Sequence, residues 1–369
     1  MNIWDAIVVG AGPAGCAAAY DLAAAGHSVL LLDKSDFPRI KACAGGVTQK
    51  AQKALRYPIT PVIRQTISRI AVERNAHTSA TIKRRSPVCY MTVREELDSY
   101  CLKQTLARGA RFERIGAITA IEPSADSVSI YIDGRALHAR FLIGADGVHS
   151  RVRQLTSAAT WFARGFAIEA NIPATDTAAQ DLVFDFEAVH HGYGWLFPKG
   201  DHINIGLYTE DGAEKLDRTR LSKYVQKRFG TAEMEHVVGQ YAGFGAEDAT
   251  PDHARIFLTG DAGGFVDRLT GEGIYGAIVS GQAAAEAIHR DLLGEGPAQA
   301  FFANATAKLR DDLRISTSAA RWFYGNLDMG FRALTAPILR SAVLDSFGNG
   351  TGLASLARTA KRFVNMFAT

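Results

Sequence analysis

The 369-residue chain is poor in several residue classes, and each shortage excludes something. Its four cysteines (Cys16, Cys43, Cys89 and Cys101) lack the spacing of a zinc or iron–sulfur centre, so no metal site is expected. No apolar run reaches the ~18 residues that a membrane-spanning helix requires. A formal net charge of +3, with no basic run interleaved with aromatics, leaves no electrostatic footprint for nucleic acid. Internal repeats and low-complexity segments are also missing. Few cysteines and no secretory leader predict a reducing, cytoplasmic setting. What remains is an ordinary globular composition: 47% hydrophobic residues, enough for sizeable cores, and a length that predicts two domains.

What the chain does have is glycine next to acid, three times. D-A-I-V-V-G-A-G-P-A-G opens it, F-L-I-G-A-D-G-V-H-S-R-V-R lies mid-chain, and I-F-L-T-G-D-A-G-G-F-V-D follows Arg255. Three signatures in this order predict one pocket assembled from distant segments, of a shape suited to FAD. The first can be read physically. Asp5 to Val9 is an apolar run of the kind a doubly buried strand needs. Gly10, Gly12 and Gly15 then fit a dinucleotide fingerprint: tight turn, close approach of a diphosphate, and helix packed on strand. Pro13 opens an alanine-rich helix to about Ala25, at the position proline favours. Its N-terminal N–H groups and dipole would face the phosphates. Ser28 to Leu32 reads as the second strand. Asp33 ends it, placed to accept from ribose hydroxyls and to repel a ribose phosphate, which disfavours NADP as the resident dinucleotide.

Gly271, Gly273 and Gly276 spell the same fingerprint, with Asp291 at the right distance. However, Gly273 to Leu293 reads as one unbroken helix, which leaves no second strand to carry that acid. A second nucleotide site is therefore not expected, nor is a dedicated NAD(P)H domain.

The segments interleave. Extended pieces run from Ser68 to Met91, and a helix from Val93 to Arg108 should bury Val93, Leu97, Tyr100, Cys101 and Leu106. Strands follow from Ala117 to Ile143, turning at Asp133–Gly134. Gly165 to Phe244 is strand-rich apart from a helix near Leu216–Phe229. The expected fold class is α/β: a Rossmann-like FAD-binding domain (1–66, 92–160 and 250–295) interleaved with an antiparallel-sheet substrate domain (67–91 and 161–249). A helical C-terminal region (296–369) completes it.

With these residues in view, the chain resembles the geranylgeranyl reductase family, FAD enzymes that share a fold with p-hydroxybenzoate hydroxylase. The resemblance runs from about Asp5 to Leu293 and is strongest at the motifs. It implies that Asp146 of G-A-D-G supports the diphosphate region, with Gly147 beside it, and that Asp261 of T-G-D-A-G hydrogen-bonds the ribityl chain. Arg94 of V-R-E-E-L-D and Arg39 of F-P-R-I-K-A-C match cofactor-side arginines, chemistry that guanidinium and phosphate oxygens suit. The implied cofactor set also takes in Pro13, Ala14, Lys34 and Ala117, and Gly271, Gly273 and Ile274 against the flavin ring. In D-R-L-T-G-E-G-I, Arg268 stands where relatives carry proline, which puts the turn before Gly271 in question.

Two further segments match the reductases rather than their hydroxylase relatives. K-A-C-A-G-G-V places Cys43, Ala44, Gly45 and Gly46 against the ring, where glycines let backbone approach a flat surface. Cys43 is either a proton-delivering group there or a small packing residue. H-G-Y-G-W-L-F-P-K-G resembles the reductase Y-x-W-x-F-P motif. Tyr193, Trp195 and Phe197 recur at every second residue, so a strand projects all three from one face, and Pro198 ends the ladder. That face is either a wall for an apolar unsaturated chain or the packed side of an ordinary sheet.

The implied activity is saturation of isolated C=C bonds in a prenyl lipid, with electrons from NAD(P)H or a reduced protein donor. A flavin monooxygenase or halogenase is the nearest rival, although no W-x-W-x-I-P halogenase motif occurs. A flavoprotein electron carrier without turnover is the third reading. Leu356–Phe367 sets Leu356, Ala360, Phe363, Val364 and Phe367 opposite Arg358, Lys361 and Arg362. Such a helix suits either peripheral contact with the inner membrane face or docking on its own domain. Oligomeric state is unreadable.

Overall fold

The computed structural model of the chain describes residues 3–157, 163–174, 181–212, 214–244, 251–336 and 348. One sheet grows around the first signature. Ile3–Val9 pairs in parallel with Val29–Asp33 on one side and Arg135–Gly144 on the other. Arg111–Arg114 and Ile256–Leu258 add further parallel strands, and Val128–Ile132 and Ile118–Pro123 turn back antiparallel. Ala6 to Val9 and Val29 to Leu32 are buried, as their unbroken apolar runs require.

The helix Pro13–Ala24 packs on this sheet through missing side chains. A Cβ at Gly15 would lie 1.8 Å from the Gly10 carbonyl oxygen, so helix meets strand backbone to backbone. On the far side, a Cβ at Gly281 would lie 2.2 Å from the Ala14 carbonyl oxygen, which brings the helix Ile274–Leu292 equally close. Gly276 is closed off in the same way: its Cβ would meet the Phe265 carbonyl oxygen at 2.0 Å. The stretch after Gly273 is thus a packed helix and not a second nucleotide turn.

A second sheet runs Glu235–Phe244, Ala163–Pro173, His202–Thr209, Gly192–Pro198, Leu182–Phe186, Arg69–Arg74, His77–Lys83. Every pairing is antiparallel except one: Leu182–Phe186 lies parallel to Arg69–Arg74. One face buries Ile168, Ala170, Leu196, Ile205 and Leu207 against the helix Arg218–Phe229. Asp217 caps that helix, accepting from the Arg220 N–H at 2.9 Å. The other face carries Tyr193, Trp195, Phe197, Tyr208 and Phe186. A small sheet of Gly46–Thr48, Cys89–Met91 and Gln65–Ile67 sits between the two large ones in sequence. Ala298–Gly325 and Leu327–Thr335 form the helical end of the described chain.

Two expectations need correction. In the helix Arg94–Ala107, Leu106 is 39% exposed, and Leu102 takes the inward position beside Leu97 and Cys101. Leu102 is one residue on from Cys101 and closer to the stripe set by Leu97, whereas Leu106 has rotated past it. The second sheet is also not purely antiparallel. The segment Leu356–Phe367 lies outside the described residues. No described helix is long and apolar enough to cross a membrane.

The glycine contacts predict a sharp asymmetry within one motif. Gly15→Ala should lower stability by about 1–3 kcal/mol or more through overpacking. Gly12→Ala, whose Cβ would meet nothing nearer than Arg39 at 3.5 Å, should leave the urea unfolding midpoint of the FAD-free protein unchanged.

Candidate active site

A cleft of about 800 Å³ runs between the two large sheets. At one end lies the N-terminus of the helix Pro13–Ala24. Gly12 occupies its cap position, and no side chain caps the first turn, so its N–H groups face the cleft unpartnered by side chains. Arg39 stands opposite. Its guanidinium pairs with Asp98 at 3.2 Å, yet its Nε is buried with no partner. Arg94 is clamped by the same carboxylate, Nε to Oδ1 at 3.0 Å and Nη2 to Oδ2 at 2.9 Å. Lys41 adds a third cation, which burial pushes below its ordinary range, helped by Arg94 and Arg39 and opposed by Asp261 and Asp98. Two arginines sharing one carboxylate, a buried lysine beside them, an orphaned buried N–H and an open helix N-terminus are what a diphosphate would satisfy. The site fits FAD on this ground.

Further along, Asp33 accepts the Ala11 N–H at 2.8 Å and the Ser35 N–H at 2.9 Å. Each oxygen keeps a lone pair for a ribose hydroxyl. Lys34 and Ala117 line the cleft beside it. Asp146 lines the cleft as well, but its carboxylate is turned to its own chain. It accepts from the Ser150 hydroxyl, the Arg151 N–H (2.6 Å) and the Val152 N–H (3.1 Å), so it caps the helix Arg151–Thr156. Burial raises the Asp146 carboxyl against these donors. Asp261 lines the cleft too, and its charge acts on Lys41.

At the other end the loop of Cys43, Ala44, Gly45 and Gly46 faces the aromatic row. The Cys43 N–H donates to Glu169 Oε1 at 2.8 Å, and its thiol lies against the Arg94 guanidinium. A Cβ at Gly46 would sit 3.0 Å from Phe197 and 3.1 Å from the Cys89 sulfur, so a side chain there would have to push the ring and the sulfur back by a few tenths of an ångström. Tyr193, Trp195 and Phe197 are all at least nine-tenths buried and line the cleft. Trp195 lies flat over Gly206, where a Cβ would come within 2.1 Å of the indole. Its Nε1–H donates to Asn204 at 2.8 Å.

The turn before Gly271 needs no proline. Three tyrosine hydroxyls donate to three successive carbonyls: Tyr208 to Arg268 (3.0 Å), Tyr324 to Leu269 (2.8 Å) and Tyr193 to Thr270. Burial pushes all three phenols up, so they stay protonated donors. Arg268 itself pairs with Glu210 and lies over Phe244. On the other side Glu272 accepts from Thr48 at 2.7 Å and pairs with Lys50 at 2.6 Å. Gly271, Gly273 and Ile274 are thus held against the cleft.

Of the residues singled out in the sequence, Gly10, Gly12, Pro13, Ala14, Asp33, Lys34, Arg39, Cys43 to Gly46, Arg94, Ala117, Asp146, Gly147, Asp261, Gly271, Gly273, Ile274 and the three aromatics line this one cleft. Gly15 does not; it is consumed by the contact with Gly10. Glu169, Lys41 and the clasping tyrosines Tyr208 and Tyr324 were not singled out. Glu169 could have been found as a charge on a strand with an apolar opposite face, but that alternation also describes a solvent-facing side.

The FAD binding domain family matches residues 4–301 of the chain. An uncharacterised protein of Methanosarcina barkeri is 32% identical over 95% of this chain and 91% of its own length. A geranylgeranyl diphosphate reductase of Rhodobacter capsulatus is 32% identical over 82% of this chain and 79% of that one. A digeranylgeranylglycerophospholipid reductase of Methanothermobacter thermautotrophicus is 29% identical over 77% and 78%. Among solved structures, a geranylgeranyl bacteriochlorophyll reductase-like protein of Thermoplasma acidophilum superposes with a TM-score of 0.77 at 18% identity, covering 88% of each chain. A flavin-dependent brominase superposes at 0.75 and 17% identity over 99% of this chain and 100% of the other, so the fold is common to both chemistries. The chain is an FAD-dependent oxidoreductase and belongs to the geranylgeranyl reductase family.

Proposed function

We propose that the protein saturates isolated C=C bonds of a prenyl lipid, and that its two large sheets divide the work as the interleaved domains read from the sequence. The observation that carries this reading is the row Tyr193, Trp195 and Phe197, buried and facing the cysteine–glycine loop across the cleft. An apolar chain matches such a wall, and a charged or heavily hydroxylated substrate would leave its polar groups unpaired there. The named reductase relatives point to the same substrate class.

In this reading the helix N-terminus and Arg39 bind the diphosphate of FAD, Asp33 a ribose, and Asp261 the ribityl hydroxyls. Reduced FAD supplies a hydride. Gly45 and Gly46 let the loop close against Thr92, Phe197 and Cys89, and the wall excludes water. An isolated alkene has no carbonyl to hold negative charge, so proton transfer to one carbon leads, and positive character develops on the more substituted carbon that takes the hydride. The electron-rich faces of Trp195 and Tyr193 stabilise that charge, by ~2 kcal/mol where desolvated. Cys43 is a candidate for contact with the reacting end. Approach of the lipid from a membrane surface belongs to the same reading.

The deciding experiment reduces bound FAD without oxygen and then adds a prenyl lipid. Reoxidation with loss of a double bond is expected. Reoxidation that waits for oxygen and hydroxylates the substrate would make the protein a monooxygenase, and no reoxidation by either would leave an electron carrier. Trp195→Leu should slow the anaerobic reoxidation roughly 30-fold, the kinetic equivalent of ~2 kcal/mol; an unchanged rate removes the charge-stabilising role. Gly12→Ala, which places a methyl group before the helix N-terminus, should weaken FAD binding roughly tenfold to a hundredfold by titration of the apoprotein.

A further inference from the structure

The wall is not wholly apolar. Side chains on one face of a sheet follow the cross-strand register, and here Glu169 pairs with Gly206, which pairs with Trp195. Glu169 and Trp195 therefore share a face, two strand spacings or roughly 9–10 Å apart at the backbone. Gly206 leaves the space between them open, and the indole fills it from the Trp195 side. Asn204 and Asn171 extend the same face: Trp195 Nε1–H donates to Asn204 Oδ1, and Asn204 Nδ2 donates to Asn171 Oδ1 at 3.2 Å. Glu169 is 6% exposed and lines the cleft, and its Oε1 holds the Cys43 N–H. A carboxyl group thus sits at the edge of the aromatic row, tied to the loop on the opposite bank.

From this geometry, and resting on prenyl reduction as proposed above, we propose that Glu169 is the acid that protonates the substrate alkene. The alkene accepts a hydride at one carbon from the reduced cofactor and a proton at the other from the Glu169 carboxyl. Its π pair becomes the second new C–H bond; the carboxyl is left as carboxylate and the cofactor oxidised. The surroundings suit the role. Burial raises the Glu169 carboxyl, while the Cys43 N–H, the Lys199 ammonium, the Asn204 amide and the Arg94 guanidinium pull it back. Lys199 is 4% exposed, and burial lowers it against the attraction of Glu169, Cys43 and Asp201. It can balance the carboxylate once the proton has left.

Glu169→Gln tests this because glutamine still accepts the Cys43 N–H but carries no acidic proton. With FAD loading matched by absorbance, single-turnover anaerobic reduction of a prenyl lipid should slow about 10²–10⁴-fold, and Glu169→Asp should recover part of the loss. The wild-type rate should fall as pH rises through the Glu169 pKa, and that limb should vanish in Glu169→Gln. Infrared titration of the holoenzyme should show a protonated carboxyl band, absent from Glu169→Gln, that disappears over the same pH interval. A Glu169→Gln variant at wild-type rate, or no such band, overturns the acid role while prenyl reduction stands. A wild-type enzyme that never reoxidises on prenyl lipid overturns the function and this role with it. Should Glu169→Gln fail to take up FAD, the wild-type infrared titration decides against Glu169→Asp: a carboxyl band the shorter acid leaves untouched overturns the proposal.

Discussion

The site depends on backbone contacts that bring three remote segments together. The Ala145 N–H donates to the Val9 carbonyl at 2.7 Å, joining the second signature to the first. The Thr259 N–H donates to the Gly144 carbonyl at 2.9 Å, joining the third to the second, and Arg153 reaches the Ala262 carbonyl at 2.8 Å. The helix after Gly12 is then gripped from both sides, at Gly15 and through Gly281. The approaches at Gly15 and Gly281 are closer than any side chain would allow. A cleft edge fixed by main chain has little freedom to drift, and the helix N-terminus is aimed by it.

The cofactor side and the aromatic side share one joint. The turn from Asp267 to Gly273 is closed by its own backbone bonds, Gly271 N–H to the Asp267 carbonyl at 2.8 Å and Asp267 N–H to the Glu272 carbonyl at 2.9 Å. The wall sheet supplies Tyr193 and Tyr208 to it, the long C-terminal helix supplies Tyr324, and the small sheet holds Glu272 through Thr48. Wall residues thus double as scaffolding for this turn. Tyr193 does both with one side chain.

Much of this was legible in the sequence because local rules sufficed. Unbroken apolar runs gave the parallel strands, the glycine triplet gave the turn and the packed helix, and a period of two put Tyr193, Trp195 and Phe197 on one face. What escaped depended on partners far along the chain. Glu169 and Asn171 alternate with Ile168, Ala170 and Ile172, which reads as an ordinary wet face; at Glu169 that face is met by a loop whose Cys43 N–H it accepts. The single parallel pairing was out of reach, since it leaves no local mark, whereas the outward turn of Leu106 could have been read from helical spacing. Asp146, read from its signature as a support for the diphosphate region, lines the cleft while its oxygens hold the first N–H groups of the helix Arg151–Thr156.

The tyrosine clasp changes how the chain should be aligned with its relatives. Tyrosine and phenylalanine usually score as near equivalents, because the ring carries most of the packing. At positions 193, 208 and 324 the hydroxyl counts besides the ring, and losing one oxygen strands a partly buried carbonyl at a cost of about 1–3 kcal/mol. A phenylalanine in any of these columns would therefore be a substantive replacement. The identity of residue 268, by contrast, is free to wander from proline.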